Sequence, residues 1–437
     1  MILALLIALP FPPTGTVRLP SGVTEISAEI RLPHGAHDLT VTGGDRTTLH
    51  AAANFHGRAI FSCQGCRRIH FTNFSIDGNR AALEKPLPLA PSGESFASFF
   101  PNNGILIEDT DGLSVDHLDF ANITNFAILV SHSCNVLLGH VSINNGGSHN
   151  AKGRNNSSGG ILLEEGVEIF RVTASDFHNI LGNGVWTHSH YGAPRSRGGQ
   201  IDNNQFSEIG RDAIQIGHAT EVRVEGNTGN HIGYPIEAVD IENAATPVAI
   251  DTSGNVDKSV YTNNKFEELD GKCIDLDGFH DGQVTHNICV NKGAPESYPF
   301  GHFGIVVNNW NPDMKSEHIT IADNTIDGAK FGGLFLIGSN HTVLRNRFLN
   351  LNQAHCNENA AKFGCVAIQD EPDVLRAGIY LGRIAAEWAQ KRADSSRGHV
   401  IRDNVITGYK MAERCVLAAP GVSLKDSTIE NNRCADK

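Results

Sequence analysis

Short runs of Val, Ile and Leu recur through most of the chain, each opened by a small residue and nearly always apolar at positions two and four. They read Gly-Ile-Leu-Ile-Glu (104–108), Ala-Ile-Leu-Val-Ser (127–131) and Gly-Ile-Leu-Leu-Glu (160–164), then Gly-Val-Trp-Thr-His (184–188) and Ala-Ile-Gln-Ile-Gly (213–217). The series continues as Ala-Val-Asp-Ile-Glu (238–242), Cys-Ile-Asp-Leu-Asp (273–277), Gly-Ile-Val-Val-Asn (304–308) and Gly-Leu-Phe-Leu-Ile (333–337). Side chains alternate across a strand, so positions two and four face a core and positions three and five face outward.

A second pattern alternates with the first. In it an Asn stands two residues before an apolar residue: Asn204, Asn264, Asn287, Asn324, Asn346, Asn404 and Asn432, with Asn227 a looser member. Asn tolerates the left-handed backbone that a sharp corner needs, and Asn side chains stacked at one corner can hydrogen-bond along the column. The spacings are irregular, mostly in the twenties and thirties. Constant local chemistry at an irregular period predicts a solenoid whose turns carry loops of different length. The expected fold class is therefore all-β: a right-handed parallel β-helix forming one domain over residues 20–437. An insertion is expected at about 370–398, with a short helix near Arg383–Ala393. A β-propeller needs four strands per blade, and the leucine-rich consensus is absent.

Composition sharpens this picture only in places. The formal charge is −13, which argues against nucleic acid as a partner. Residues 1–19 form an apolar cap or a signal-like segment, too short to span a bilayer, and no other segment could cross a membrane. Eight of the nine cysteines suggest local pairs: Cys63 with Cys66, Cys273 with Cys289, Cys356 with Cys365, and Cys415 with Cys434, leaving Cys134. Local pairs suit an oxidising compartment, so a secreted or periplasmic location is expected. A zinc half-site at Cys63–Cys66 is the alternative, though no second ligand pair completes it.

The candidate chemistry lies on the outward strand column. Position three runs Leu106, Leu129, Leu162, Trp186, Gln215, Asp240, Asp275, Val306, Phe335, and position five passes through Glu164, His188, Gly217, Glu242, Asp277 and Asn308. Asp240, Glu242, Asp275 and Asp277 would then form a square of carboxylates, the expected catalytic set. Gly217 beside it would leave room for a ligand. Like charges this close raise at least one pKa, which suits a general acid beside a nucleophile or base. Trp186, His188, His218, His280, His302 and Asn308 are the expected substrate-binding residues, with Trp186 a platform for a sugar face.

The stacked turns resemble the pectate-lyase-like superfamily of right-handed β-helices, which holds polysaccharide lyases and polygalacturonase-type hydrolases. The resemblance covers residues 20–435 as architecture. Polygalacturonase-type hydrolases carry Asn-Thr-Asp, Asp-Asp, Gly-His-Gly and Arg-Ile-Lys on successive turns. Here acids occupy two successive turns and Gly301-His302-Phe303-Gly304 echoes the histidine step, while the other motifs are missing. The resemblance implies a poly- or oligosaccharide bound along the outward strand face, and glycosidic cleavage without a required cofactor. Two alternatives stay open. One is a lyase or epimerase, with Ca²⁺ on the acidic square and Lys272, Arg211, Lys330 or His188 as base. The other is a non-catalytic glycan-binding or surface solenoid. The sequence names neither the sugar nor the oligomeric state.

Overall fold

The computed structural model describes residues 11–88, 90–91, 93–241, 246–309, 314–356, 360–363, 365, 371, 373–383 and 395–437. The chain is an all-β, right-handed parallel β-helix: among the described residues the strands pair in parallel register from turn to turn. The α-helices among the described residues are single turns, at Arg80–Leu83, Phe96–Phe99 and Ala360–Phe363. The helix expected near Arg383–Ala393 falls almost wholly outside the described residues, as do residues 1–10. Gly15–Arg18 is a strand in register with His37–Thr42.

Contacts divide the chain into two compact units. The first holds residues 1–213, 218–222 and 234–240; the second holds 214–217, 223–233 and 241–437. In the second unit each turn carries three strands rather than the two expected. One column contains Val248–Asp257, Lys272–His280, Ile305–Asn308 and Leu334–Leu336. The next contains Val260–Thr262, Gln283–Thr285 and Thr320–Ala322, and the third Lys265–Leu269, Ile288–Val290 and Thr325–Asp327. Each Asn segment is thus two strands meeting at a corner.

That corner has a repeated construction. The residue before each Asn takes the left-handed conformation, as at Asn263 (φ 57°), His286 (φ 58°) and Asp323 (φ 58°). The strain sits one residue earlier than the sequence suggests, and it turns the following Asn side chain inward. Asn227, Asn264, Asn287, Asn324, Asn346, Asn404 and Asn432 then form a continuous ladder, each Nδ2 donating to the next Oδ1 at 2.8–3.0 Å. Each Oδ1 also accepts the preceding Asn's backbone N–H, as from Asn264 to Asn287 at 3.1 Å. A corner that would strand buried N–H groups is thereby satisfied.

Inward positions fill both units with Ile, Leu, Val and Phe at or near zero exposure. The first unit has a further apolar layer. Its outward residues Leu106, Leu129 and Leu162 are fully buried, and Trp186 is 8% exposed. They lie beneath Phe96, Ala97 and Phe100 of the segment that follows Arg80–Leu83. The outward column is covered there, not open. The four expected disulfides are present, and Cys134 is free.

Candidate functional site

The register of the strands corrects the expected carboxylate square. Asp275 pairs with Asp251, and Asp277 with Ser253. Asp240 is not on this column. It follows a 3-10 turn, Ile236–Ala238, in the first unit. Its backbone N–H donates to Asn155 Oδ1 at 2.8 Å, and its carboxylate accepts Asn150 Nδ2 at 2.6 Å and Lys152 Nζ at 3.1 Å. Burial pushes this carboxyl up, but Lys152, Asn150 and Arg154 outweigh burial and hold it below the usual carboxylate range. Asp240 anchors the loop 150–155. Glu242 lies outside the described residues.

In the second unit, the outward face at this level carries Asp251, Asp275 and Asp277. Asp251 and Asp275 are in register on adjacent strands and are 9% and 6% exposed. Gln215 Nε2 donates to Asp251 Oδ2 at 2.7 Å. The Lys272 ammonium, at the start of the same strand as Asp275, reaches Asp275 Oδ2. Lys272 therefore joins the acids, although the strand pattern sets it off the column. Asp275 Oδ1 is buried and has no hydrogen-bond partner among the described residues. Asn308 lies in register with Asp277 on the next strand, as expected.

The expected binding histidines part company. His280 ends the strand Lys272–His280 with both ring nitrogens engaged, by Asp281 at 2.7 Å and Asn255 at 2.9 Å, so it is a structural brace. His302 stands ahead of the strand Ile305–Asn308 and lines a small pocket with Phe303, Cys273, Cys289 and Lys330. Burial, with Lys272 and Lys330 behind it, pushes His302 down to about 3, so its imidazole is neutral. The same region holds Asp270, fully buried and pushed up to about 7 by that burial.

Trp186, His188 and His218 belong to the first unit. Trp186 packs at 5.0 Å on Phe96, and His188 stacks on Phe96 at 4.7 Å. Trp186 is thus roofed by protein rather than offered as a platform. Burial, then His190 and His218, push His188 down to about 4. Glu164, paired in register with His188, is fully buried and pushed up to about 7 by burial, against the backbone N–H groups of Phe96 and Ala97 that it accepts. Glu165 and His190 complete this group and were missed. The adjacent acids Glu164-Glu165 at a strand end were the signal available.

With this architecture in hand, comparison places the chain among known folds. Residues 159–349, somewhat less than half of the chain, match the family described as Right handed beta helix region. No curated protein sequence matches it. Among solved structures it is similar to PfbA, a surface adhesin of Streptococcus pneumoniae: 15% identity, 77% of this chain, 82% of that one, TM-score 0.56. It is similar to DFA-IIIase from Arthrobacter chlorophenolicus A6 without its lid: 13% identity, 77% and 84% coverage, TM-score 0.52. The Dettilon tailspike protein matches at 13% identity over 91% of this chain and 62% of that chain, TM-score 0.50. At such identities the likeness shows the fold alone.

Proposed function

We propose that the chain is a carbohydrate-active enzyme that cleaves glycosidic bonds of a poly- or oligosaccharide on the outward strand face of its second unit. The observation that carries this reading is the pair Asp251 and Asp275, two carboxylates in register on adjacent strands and almost wholly withdrawn from water. Burying two acids side by side is costly, and a site that moves protons or attacks carbon is a use for that cost. Adjacent strands lie about 4.8 Å apart, near the roughly 5–5.5 Å carboxyl separation of retaining glycosidases. Asp251, oriented by Gln215, protonates the leaving glycosidic oxygen. Asp275, oriented by Lys272, attacks the anomeric carbon, and water then hydrolyses the glycosyl ester with Asp251 taking the proton. Asp277 and Asn308 on the same face bind sugar hydroxyls. The reaction as written needs no metal. The fold shared with an enzyme named DFA-IIIase supports the reading, and four cystines support a secreted or periplasmic location.

One observation favours a second reading. Lys272 beside Asp275 could serve as the base of a lyase or epimerase, with Asp275 and Asp277 oxygens holding Ca²⁺. The test is a glycan panel read by reducing ends, ultraviolet absorbance and product anomers. The hydrolase reading expects new reducing ends, retained configuration and full activity in EDTA. It also expects Asp251→Asn and Asp275→Asn to lose about 10²–10⁴-fold in rate. Unsaturated uronate products would move the assignment to the lyase. Binding without turnover across the panel would make the chain a glycan-binding solenoid, as an adhesin-like neighbour allows.

A further inference from the structure

A second group of ligating side chains, none of them assigned above to catalysis, lies in the first unit. The strand Ile161–Glu164 ends in Glu164, and Glu165 follows in the left-handed conformation (φ 56°). The neighbouring strand Val185–His188 ends in His188, in register with Glu164. Ligand atoms of Glu164, Glu165 and His188 all lie within 4.8 Å of one another.

The three side chains are already oriented by other groups. Glu164 accepts backbone N–H groups from Phe96 at 2.9 Å and Ala97 at 2.8 Å. Glu165 accepts the backbone N–H of His190 at 3.2 Å and pairs with its ring. Partners of this kind fix ligand geometry around metals. His188 Nδ1 is buried and lacks a hydrogen-bond partner among the described residues. A separate sign comes from His218, which is 8% exposed, neighbours Glu165 and His188 electrostatically, and also has a buried Nδ1 without a partner. Two carboxylates and the His188 imidazole are thus gathered in one place, with a second orphaned imidazole, His218, close enough to interact with them electrostatically.

We propose that Glu164, Glu165 and His188 bind a divalent transition-metal ion of the zinc type, with His218 as the adjoining nitrogen donor. Imidazole and carboxylate together suit such an ion, and its charge offsets the two buried acids. The ion enters past His190, whose side chain is 27% exposed. Because Glu164 also holds Phe96 and Ala97, the ion fastens the covering segment over Leu106, Leu129 and Leu162. This site is structural and independent of the glycosidic chemistry proposed for the second unit.

The full chain, stripped with EDTA and dialysed, is titrated with ZnCl₂ and in parallel with CoCl₂. One ion per chain, a raised melting temperature and a visible Co²⁺ absorption band are expected. His188→Ala and Glu165→Gln should each weaken binding at least about tenfold. His318→Ala, in the exposed Asp281, Glu317 and His318 group, should leave it unchanged. Should His188→Ala not fold, Glu165→Gln carries the test, since it keeps the shape and an acceptor oxygen. No Zn²⁺ binding by the wild type, or undiminished binding by folded Glu165→Gln, overturns the proposal.

Discussion

Replacing Asn287 by alanine breaks the asparagine ladder at its middle. Asn287 accepts the backbone N–H of Asn264 at 3.1 Å and its Nδ2 at 2.9 Å, and donates to the Tyr261 carbonyl at 2.9 Å and Asn324 Oδ1 at 3.0 Å. Some of these losses are made good. Asn264 Nδ2 keeps the Val224 and Thr262 carbonyls, and Asn324 Oδ1 keeps the backbone N–H of residue 287. The Asn264 N–H is left buried without its acceptor, at about 1–3 kcal/mol, and each other bond not remade costs about 0.5–1.5 kcal/mol. The sum is roughly 3–5 kcal/mol. Asn432→Ala, at the half-buried last rung, should cost much less because water reaches it. Urea unfolding gives the difference, and amide exchange at Asn264 localises it. An Asn287→Ala protein within about 0.5 kcal/mol of wild type, or no worse than Asn432→Ala, would refute the ladder's role.

Other outcomes follow from the same structure. His341 and His399 stack at 5.0 Å, and each ring Nδ1 accepts a backbone N–H, so both must be neutral. Burial pushes them down to about 4 and about 3, from an unfolded value near 6.5. Their stability contribution is complete above pH 6.5 and is lost as pH falls toward 4 and 3. Melting curves from pH 7 to 4 should show a decline on the order of 2 kcal/mol per ring, flattened in His341→Asn. Trp186→Ala should destabilise the first unit by about 3–5 kcal/mol and make the segment bearing Phe96 more susceptible to proteolysis, since Trp186 supports Phe96. A pure loss of glycan affinity, with stability intact, would instead restore Trp186 as a binding platform. Asp240→Asn should weaken the loop 150–155 by about 1–3 kcal/mol yet leave turnover near wild type, in contrast to Asp275→Asn.

The solenoid was legible because its signals are local and repeated. Alternation places Ile274 and Leu276 inward without knowledge of any neighbour, and the Asn segments mark corners wherever they occur. The burial of Leu106, Leu129 and Leu162 was not legible. Alternation puts them outside the helix, but whether water or protein lies outside depends on where the segment bearing Phe96 returns, and that is a long-range fact. The adjacency of Glu164 and His188 was legible, since both stand at position five of successive strands, but the joining of Glu165 was not, because it rests on a left-handed residue at a strand end.

The misplaced carboxylate has a more specific cause. Going from Gln215 to Asp275 through Asp240 takes steps of 25 and 35 residues (215 to 240 to 275). Going through Asp251 takes 36 and 24 (215 to 251 to 275), so spacing cannot choose between them. Alternation then favours the wrong segment. Ala238-Val239-Asp240-Ile241 has apolar residues at both inward positions, whereas Ala249-Ile250-Asp251-Thr252 puts a hydroxyl inward. The structure shows why that hydroxyl is tolerated. Thr252 is fully buried, and its Oγ1 meets the buried Tyr261 hydroxyl at 2.8 Å, so neither polar group is stranded. Proline does not separate the two segments either, since Pro235 precedes the 3-10 turn Ile236–Ala238 and Pro247 precedes the strand Val248–Asp257. A satisfied polar pair in the core therefore moved the expected site by one segment, and with it the partner of Asp275 from Asp240 to Asp251.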